Sequence, residues 1–509
     1  MANNNFKILD CTLRDGGYYT QWDFESSIVT NYINLLNKLP IDFIEIGYRN
    51  IFSSEYQGEF YYCPKYRLEE IKAKCNKNIA VMIDEKNYSS EQMISLLEPC
   101  KESIDLIRLA VDPLRIKESY KKVIKLKSLG IPIACNFMYL NKWEQIPGFF
   151  NNLKIISSQV EYIYLVDSFG SIYPHQLKKL ILKIKQFADC KIGFHGHNNL
   201  ELAFANTLVA IENGVNIVDS TVIGMGRGAG NLKTELLMSH ISKDLKINFN
   251  ALSSLVDTFN KLHSEYNWGT NLPYMLSGVT ETPQKLIMEW LSKRYLSLNT
   301  IVNKIMNFNT DKHSFPKLNN KFYDKSIIIG GGSSIEKHIY AITEFLNQNP
   351  EFVIVFSSTR YFELFQNLSN FKIFCFVGDE SERIDLSKIV FDEKKTIAIV
   401  PSESIETIPT RIPENFRNIT FEIESLTIDN NVKVNNCSLS LQTVKNLSCK
   451  TIFLVGFDGY EKSNKVYEIE LFNENDFLFK LLNENKIELR SLTPTTYKNI
   501  IIDSIYSYI

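Results

Sequence analysis

Along the first half of the chain, short apolar runs alternate with longer stretches in which apolar residues recur every three or four positions. The short runs are Lys7–Thr12, Phe43–Gly47, Ile79–Ile83, Ile104–Ala110, Pro132–Phe137, Tyr162–Val166, Lys191–Phe194 and Val215–Asp219. Between them lie amphipathic segments such as Ser26–Leu39, Leu114–Leu129 and His175–Phe187, whose spacing predicts helices. Near-continuous Val, Ile and Leu content in the short runs predicts strands covered on both faces, as in a parallel sheet flanked by helices. Eight such strand–helix units are what a closed (βα)8 TIM barrel needs. A doubly wound open sheet has the same alternation, so the count favours the barrel without excluding the open form.

After Gly230 the pattern becomes mainly helical, with Leu252–Tyr266 and Gln284–Leu296 the clearest segments. A Lys/Asn-rich stretch, 309–325, reads as a linker between a barrel domain with helical extension (1–308) and a smaller α/β domain (326–509). The second domain opens with strand Ile327–Ile329, the turn GGGSS and helix Ile335–Asn347. Its further strand candidates are Phe352–Phe356, Phe371–Phe376, Thr396–Val400, Thr451–Val455 and Tyr467–Leu471. The expectation is an open, Rossmann-like sheet.

Composition narrows the function classes more than it names one. With 44% hydrophobic and 22% charged residues, the chain is an ordinary globular one. A net charge of -2, from 56 basic and 58 acidic residues, gives no general attraction to nucleic acid or anionic membranes. No apolar run reaches the roughly 18 residues of a bilayer span, and MANNNFKILD lacks the features of a secretory signal. The nine cysteines show no CxxC spacing, which argues against a disulfide framework and a thiolate zinc site. A cytoplasmic location, no nucleic-acid or membrane partner and a homo-oligomeric state are the expectations.

Catalytic groups of a TIM barrel sit where strands end at its C-terminal face. Those ends read TLRDGG (Thr12–Gly17), EIGYR (Glu45–Arg49), VDSFG (Val166–Gly170), HGHNN (His195–Asn199) and DSTVIGMGRGAGN (Asp219–Asn231). His195 and His197, two apart on an extended segment, point to one side. With Asp15 they suit a two-His, one-carboxylate site with open positions. Such mixed ligands accept Mn, Mg, Co, Fe or Zn, and spacing does not choose among them.

Together, TLRDGG, HGHNN and GRGAGN resemble the DRE-TIM metallolyase superfamily over about Ile8–Asn231. The resemblance is nearest the 4-hydroxy-2-oxovalerate aldolase branch. It implies a divalent metal, Mn²⁺ or Mg²⁺ before Co²⁺ or Zn²⁺, on Asp15, His195 and His197, with Asn231 near or on it. It implies that Arg14 steadies the enolate oxygen of a 2-oxo acid such as pyruvate, that Ser168 with neighbouring amides binds its carboxylate, and that Glu45 orients Arg14. The partner substrate is then an aldehyde. Where those aldolases carry an acid/base histidine, three residues after the Asp of RDG, this chain has Tyr18, either a proton donor or an aromatic wall. The loop GMGRGAG lacks the cysteine of the related CoA lyases. Acyl-CoA carboligation and an inactive binding barrel are the alternatives. Arg49 and Arg227, if both face inward, suit a phosphorylated or otherwise anionic aldehyde. In the second domain, Gly330, Gly331, Gly332 and Ser333 with Asp458 of GFDGY form a candidate ligand site. These two motifs loosely resemble Rossmann-like surface-glycan and sugar-nucleotide enzymes, although Ile335 stands where a full dinucleotide fingerprint has its third glycine.

Overall fold

The computed structural model describes residues 6–53, 56–292, 298–306, 315–318, 323–385, 392–402, 410, 412–428, 432, 434–460, 466–485 and 487–509. These divide into two compact units, Met1–Glu289 and Trp290–Ile509. The helix Leu298–Met306, expected as an extension of the barrel, therefore counts with the second unit. Most of the expected linker lies outside the described residues, as does the end of the helix expected to reach Leu296, which is described to Ser292.

The first unit is a closed barrel of eight parallel strands. They are β1 (Lys7–Asp10), β2 (Phe43–Tyr48), β3 (Asn78–Asp84), β4 (Leu106–Val111), β5 (Ile133–Phe137), β6 (Tyr162–Asp167), β7 (Lys191–Gly196) and β8 (Ile217–Ser220). Each pairs with the next, and β8 closes on β1 with Leu9 opposite Asp219 and Asp10 opposite Ser220. All eight expected strands are present, and the open-sheet alternative falls. Alternation along each strand separates two apolar layers. Leu9, Phe43, Ala80, Leu106, Ala134, Tyr162 and Ile217 fill the interior, whereas Ile8, Ile44, Val81, Ile107 and Ile163 pack outward under the helices. Each Leu or Ile so buried contributes roughly 1.5–3 kcal/mol. The interior is not wholly apolar: Glu45, Arg108 and Asp219 are inside it at 0–3% exposure.

The second unit holds one parallel sheet: β9 (Lys325–Ile329), β10 (Val353–Phe356), β11 (Lys372–Cys375), β12 (Thr396–Pro401), β13 (Thr420–Ile423), β14 (Thr451–Val455), β15 (Leu489–Ser491) and β16 (Ile501–Ile502). The order is β13-β12-β11-β10-β9-β14-β15-β16, so the winding reverses between β9 and β14. Ile327 and Ile329 face one core with the helix Ser334–Gln348; Ile328 faces the other with helices Asn436–Asn446 and Val466–Glu484. The strand expected at Tyr467–Leu471 is instead part of Val466–Glu484. Its brief apolar/polar alternation imitates a strand, but the buried Leu478, Phe479 and Leu482 recur at helical spacing and settle the nineteen-residue segment. Among the described residues, no helix is long and apolar enough to cross a membrane.

Candidate active site

β1 ends in Asp10, a buried carboxylate that accepts the Thr12 N–H (3.0 Å) and the hydroxyls of Thr12 (2.5 Å), Tyr32 (2.6 Å) and Thr234 (2.7 Å). These bonds fix the start of helix Thr12–Thr20 and hence place Arg14 and Asp15 in its first turn. The two glycines that follow allow close packing. A Cβ on Gly16 would lie 2.5 Å from Met225 Sδ, and one on Gly17 would lie 2.1 Å from Trp22 Cδ1.

A chain of ion pairs runs from that turn into the barrel. Arg14 Nη1 bonds Asp15, and its Nε donates to Glu45 Oε2 at 2.8 Å. Glu45 Oε2 also accepts from Arg108 Nη1 at 2.8 Å; Arg108 Nη2 donates to Asp219, and the Arg108 guanidinium lies 4.2 Å over the Tyr164 ring. Asp219 Oδ2 then accepts from His195 Nδ1 at 2.8 Å. Glu45 thus holds Arg14 as expected. Burial raises the Asp15 and Asp219 carboxyls, but the guanidiniums and imidazoles beside them outweigh it and hold both below the usual carboxylate range. Three carboxylates against two guanidiniums leave the buried network one negative charge in excess.

Because carbonyl and carboxylate oxygens only accept, both imidazoles must donate from Nδ1: His195 to Asp219, and His197 to the Asp167 carbonyl at 2.8 Å. Each Nε2 lone pair is left free for another partner. His195 Nε2 stands 3.5 Å from Asp15 Oδ2, and the two rings are 5.0 Å apart. Burial, then the neighbouring His195, lowers His197 to about 3, so the imidazole is neutral at any working pH. Asn231 Nδ2 donates to Asp15 Oδ2 at 2.6 Å while its Oδ1 is buried without a partner. This donor set, with its excess negative charge and orphaned Oδ1, fits a divalent cation. Among the described residues, the donors that cluster within 4.8 Å of one another are Cys11, Asp15 and His195. Cys11 was not anticipated. Burial drives its thiol well above the usual range, so it stays protonated in the metal-free protein.

A cavity of about 290 Å³ opens onto these groups. It brings together Arg14, Asp15, Tyr18, Ser168, His195, His197 and Arg227 of the expected residues, with Glu45 and Asn231 behind them. Tyr18 and Tyr48 share a hydroxyl hydrogen bond of 2.9 Å, and Arg227 stacks 3.9 Å from the Tyr18 ring centroid. Burial, then Tyr18, pushes the Tyr48 phenol well up, so it stays protonated. Ser168 Oγ accepts the Tyr139 N–H at 2.9 Å.

Arg49 does not join them. Its guanidinium donates to the carbonyls of Tyr62 (2.8 Å), Cys63 (3.0 Å) and Leu96, and so ties the ends of two helices together outside the cavity. The second-unit candidate also changes meaning. Gly330–Ser333 and Asp458 do meet where the strand order reverses, but Asp458 Oδ2 already accepts the Ser334 N–H (2.9 Å) and Oδ1 the Ser334 hydroxyl. A Cβ on Gly332 would lie 2.4 Å from Asp458 Oδ1. The glycine turn is closed by its own carboxylate where an anion would otherwise sit.

Asn136, at the end of β5, was missed in the sequence: it lines the cavity at 2% exposure with Oδ1 unpartnered. An unmet acceptor there is costly until substrate supplies a donor. Asn136→Leu should therefore raise stability by about 1 kcal/mol in denaturant unfolding while raising substrate KM by roughly 10-fold. A loss of stability with unchanged KM would contradict this role. Asp167 gives a pH prediction for the metal-free protein. Burial lifts its carboxyl to about 7, against the N–H groups of Ser171 (3.1 Å) and Ile172 (3.3 Å). An unfolded Asp ionises near pH 4, so from about pH 4 to about pH 7 the unfolded chain loses a proton that the folded one keeps. Stability should fall across that window by up to about 1.4 kcal/mol per unit and level off above it. Urea unfolding of Asp167→Asn should lose that component of the slope; an unchanged slope would refute it.

Known proteins can now be set beside this geometry. The HMGL-like family model matches residues 5–260. The 4-hydroxy-2-oxovalerate aldolase of Geobacillus thermodenitrificans is 28% identical over 240 residues, 46% of this chain and 69% of that protein. The oxaloacetate decarboxylase of Mycobacterium tuberculosis is 25% identical over 238 residues, 46% of this chain and 70% of that protein. A solved N-terminal domain from Bacteroides vulgatus, provisionally described as an aldolase, is 45% identical with a TM-score of 0.56, covering 58% of this chain and 99% of that domain. The barrel half of the chain therefore belongs to the HMGL-like family.

Proposed function

We propose that the barrel is a divalent-metal-dependent carbon–carbon lyase that makes or breaks a bond through the enolate of pyruvate or a related 2-oxo acid. The observation that carries this reading is the pair of Nε2-presenting imidazoles beside Asp15, with the Arg14 guanidinium at the same cavity wall. Asp15, His195 and His197, with Asn231 alongside, would hold a cation that supplies a Lewis acid for the 2-oxo acid oxygens.

The chain's own groups do the rest. Arg14, held by Asp15 and Glu45, keeps a fixed positive charge where the enolate oxygen develops. Ser168 and the amides around it take the 2-oxo acid carboxylate. Tyr18 stands where a phenol can give its proton to the aldehyde oxygen as the new bond forms, with Tyr48 hydrogen-bonded to its hydroxyl. In that direction the enolate carbon adds to the aldehyde carbon, the carbonyl π pair moves onto oxygen, and the proton completes a 4-hydroxy-2-oxo acid. Cleavage runs the same steps in reverse. The Mycobacterium tuberculosis relative favours a second reading, decarboxylation of a 3-carboxylated 2-oxo acid, which yields the same enolate with carbon dioxide as the leaving group.

The test is product formation from a 4-hydroxy-2-oxo acid and, separately, from oxaloacetate. Pyruvate release that stops with chelator and returns with Mn²⁺ or Mg²⁺ supports the reading. Metal-independent release, or none from either substrate, sinks it.

A further inference from the structure

Arg227 and Lys285 line the cavity, and neither has a carboxylate in ion-pair contact among the described residues. In this they differ from Arg14, which spends its charge on Asp15 and Glu45. They sit on adjoining segments: Gln284 Oε1 accepts the Ala229 N–H at 3.3 Å, and a Cβ on Gly228 would lie 2.1 Å from that oxygen. Lys285 is exposed on the first turn of the nine-residue helix Gln284–Ser292, whose N-terminal dipole has the same sign. Arg227 is stacked face-on over Tyr18, a pose that restrains the guanidinium while leaving its in-plane N–H groups free to address an anion. Tyr18 is the residue read above as facing the aldehyde oxygen.

Resting on the enolate reading of this site, we propose that Arg227 and Lys285 form the acceptor's phosphate subsite, so that the aldehyde partner is a phosphate monoester. On that reading the 2-oxo acid carboxylate goes to Ser168, and two further cations on one rim match a dianion rather than a second carboxylate. The phosphate is bound and takes no part in bond making; it stays on the aldehyde through the reaction.

Two measurements on the metal-loaded full chain decide this. In the first, pyruvate is condensed with glyceraldehyde 3-phosphate, glyceraldehyde or succinate semialdehyde. The wild type should favour the phosphorylated aldehyde by about 30-fold or more in kcat/KM, and Arg227→Met should lose most of that preference, chiefly through KM. Equal use of glyceraldehyde, or preference for the carboxylated aldehyde, overturns the proposal. In the second, inorganic phosphate is titrated calorimetrically with pyruvate saturating, which needs no turnover. Arg227→Met should weaken phosphate about 10-fold or more and the exposed Lys285→Met by a smaller factor. Phosphate that binds equally to all three proteins, or to none, refutes the subsite. Failure of the enolate reading itself would appear separately, as loss of condensation with every aldehyde while phosphate binding still followed Arg227. Circular dichroism of both variants guards against misfolding.

Discussion

Asp15→Asn should lose bound metal and cut turnover by about 10³-fold or more, on the order of 4 kcal/mol of transition-state stabilisation. Asparagine keeps the shape but not the charge. If its amide nitrogen turns toward Asn231, two N–H donors face each other where a cation would sit. The same substitution should leave the fold intact. The buried network carries one negative charge in excess, so removing one carboxylate brings it to neutrality, and Arg14 retains Glu45. Metal analysis, turnover and thermal unfolding together check this. Retained metal with normal turnover would contradict the ligand assignment, and a collapsed fold would contradict the charge accounting.

Arg108→Met should have the largest effect on stability. Arg108 is completely buried between Glu45 and Asp219, and no other guanidinium can replace it at Asp219. Breaking a buried pair from one side costs about 3–5 kcal/mol because the remaining charge stays unpaired. That corresponds to a fall in Tm on the order of 10 °C. Activity should fall too, since Glu45 holds Arg14 and Asp219 fixes the His195 tautomer. Adding Asp219→Asn to Arg108→Met should recover part of the stability but not the activity. A single variant as stable as wild type would show that the network is better solvated than its geometry implies.

The barrel was legible because eight apolar strands, each buried on both faces, leave runs that stand out against amphipathic helices. The proposed metal ligands were legible for a related reason: His195 and His197 lie at the end of β7 and Asp15 in the helical turn just after β1, where sequence position alone places them near the mouth. What sequence reading missed were the residues that act through others. Arg108 left a usable sign, a cation inside the otherwise apolar stretch Leu106–Ala110, since a charge there must have a buried partner. Asp219 lay at the end of β8 in plain view, but its pairing with His195 depends on β7 and β8 lying side by side, which brings residues 24 positions apart to 2.8 Å.

Arg49 was misread for the opposite reason. A strand-end arginine in EIGYR looks like a mouth-facing cation, yet the helix-end carbonyls of Tyr62, Cys63 and Leu96 claim it. Lys285 was passed over because it follows the barrel by more than fifty residues and is brought back to the rim by long-range bonds such as those of Gln284. The glycine turn of the second unit was placed at the right sheet edge, but no pattern of glycines and serines reveals that Asp458, more than a hundred residues on, closes it. The apparent strand at Tyr467–Leu471 fell to length: five alternating residues cannot outweigh nineteen with helical burial.

Proton NMR of pyruvate in deuterated buffer, with the full chain and Mn²⁺ or Mg²⁺, tests whether the barrel makes an enolate. The metal is removed before the methyl signal is read. That signal should be lost with metal-loaded wild type and retained after chelation and in Asp15→Asn. A methyl signal that persists with the metal-loaded protein, both alone and with an aldehyde acceptor present, would contradict the enolate reading.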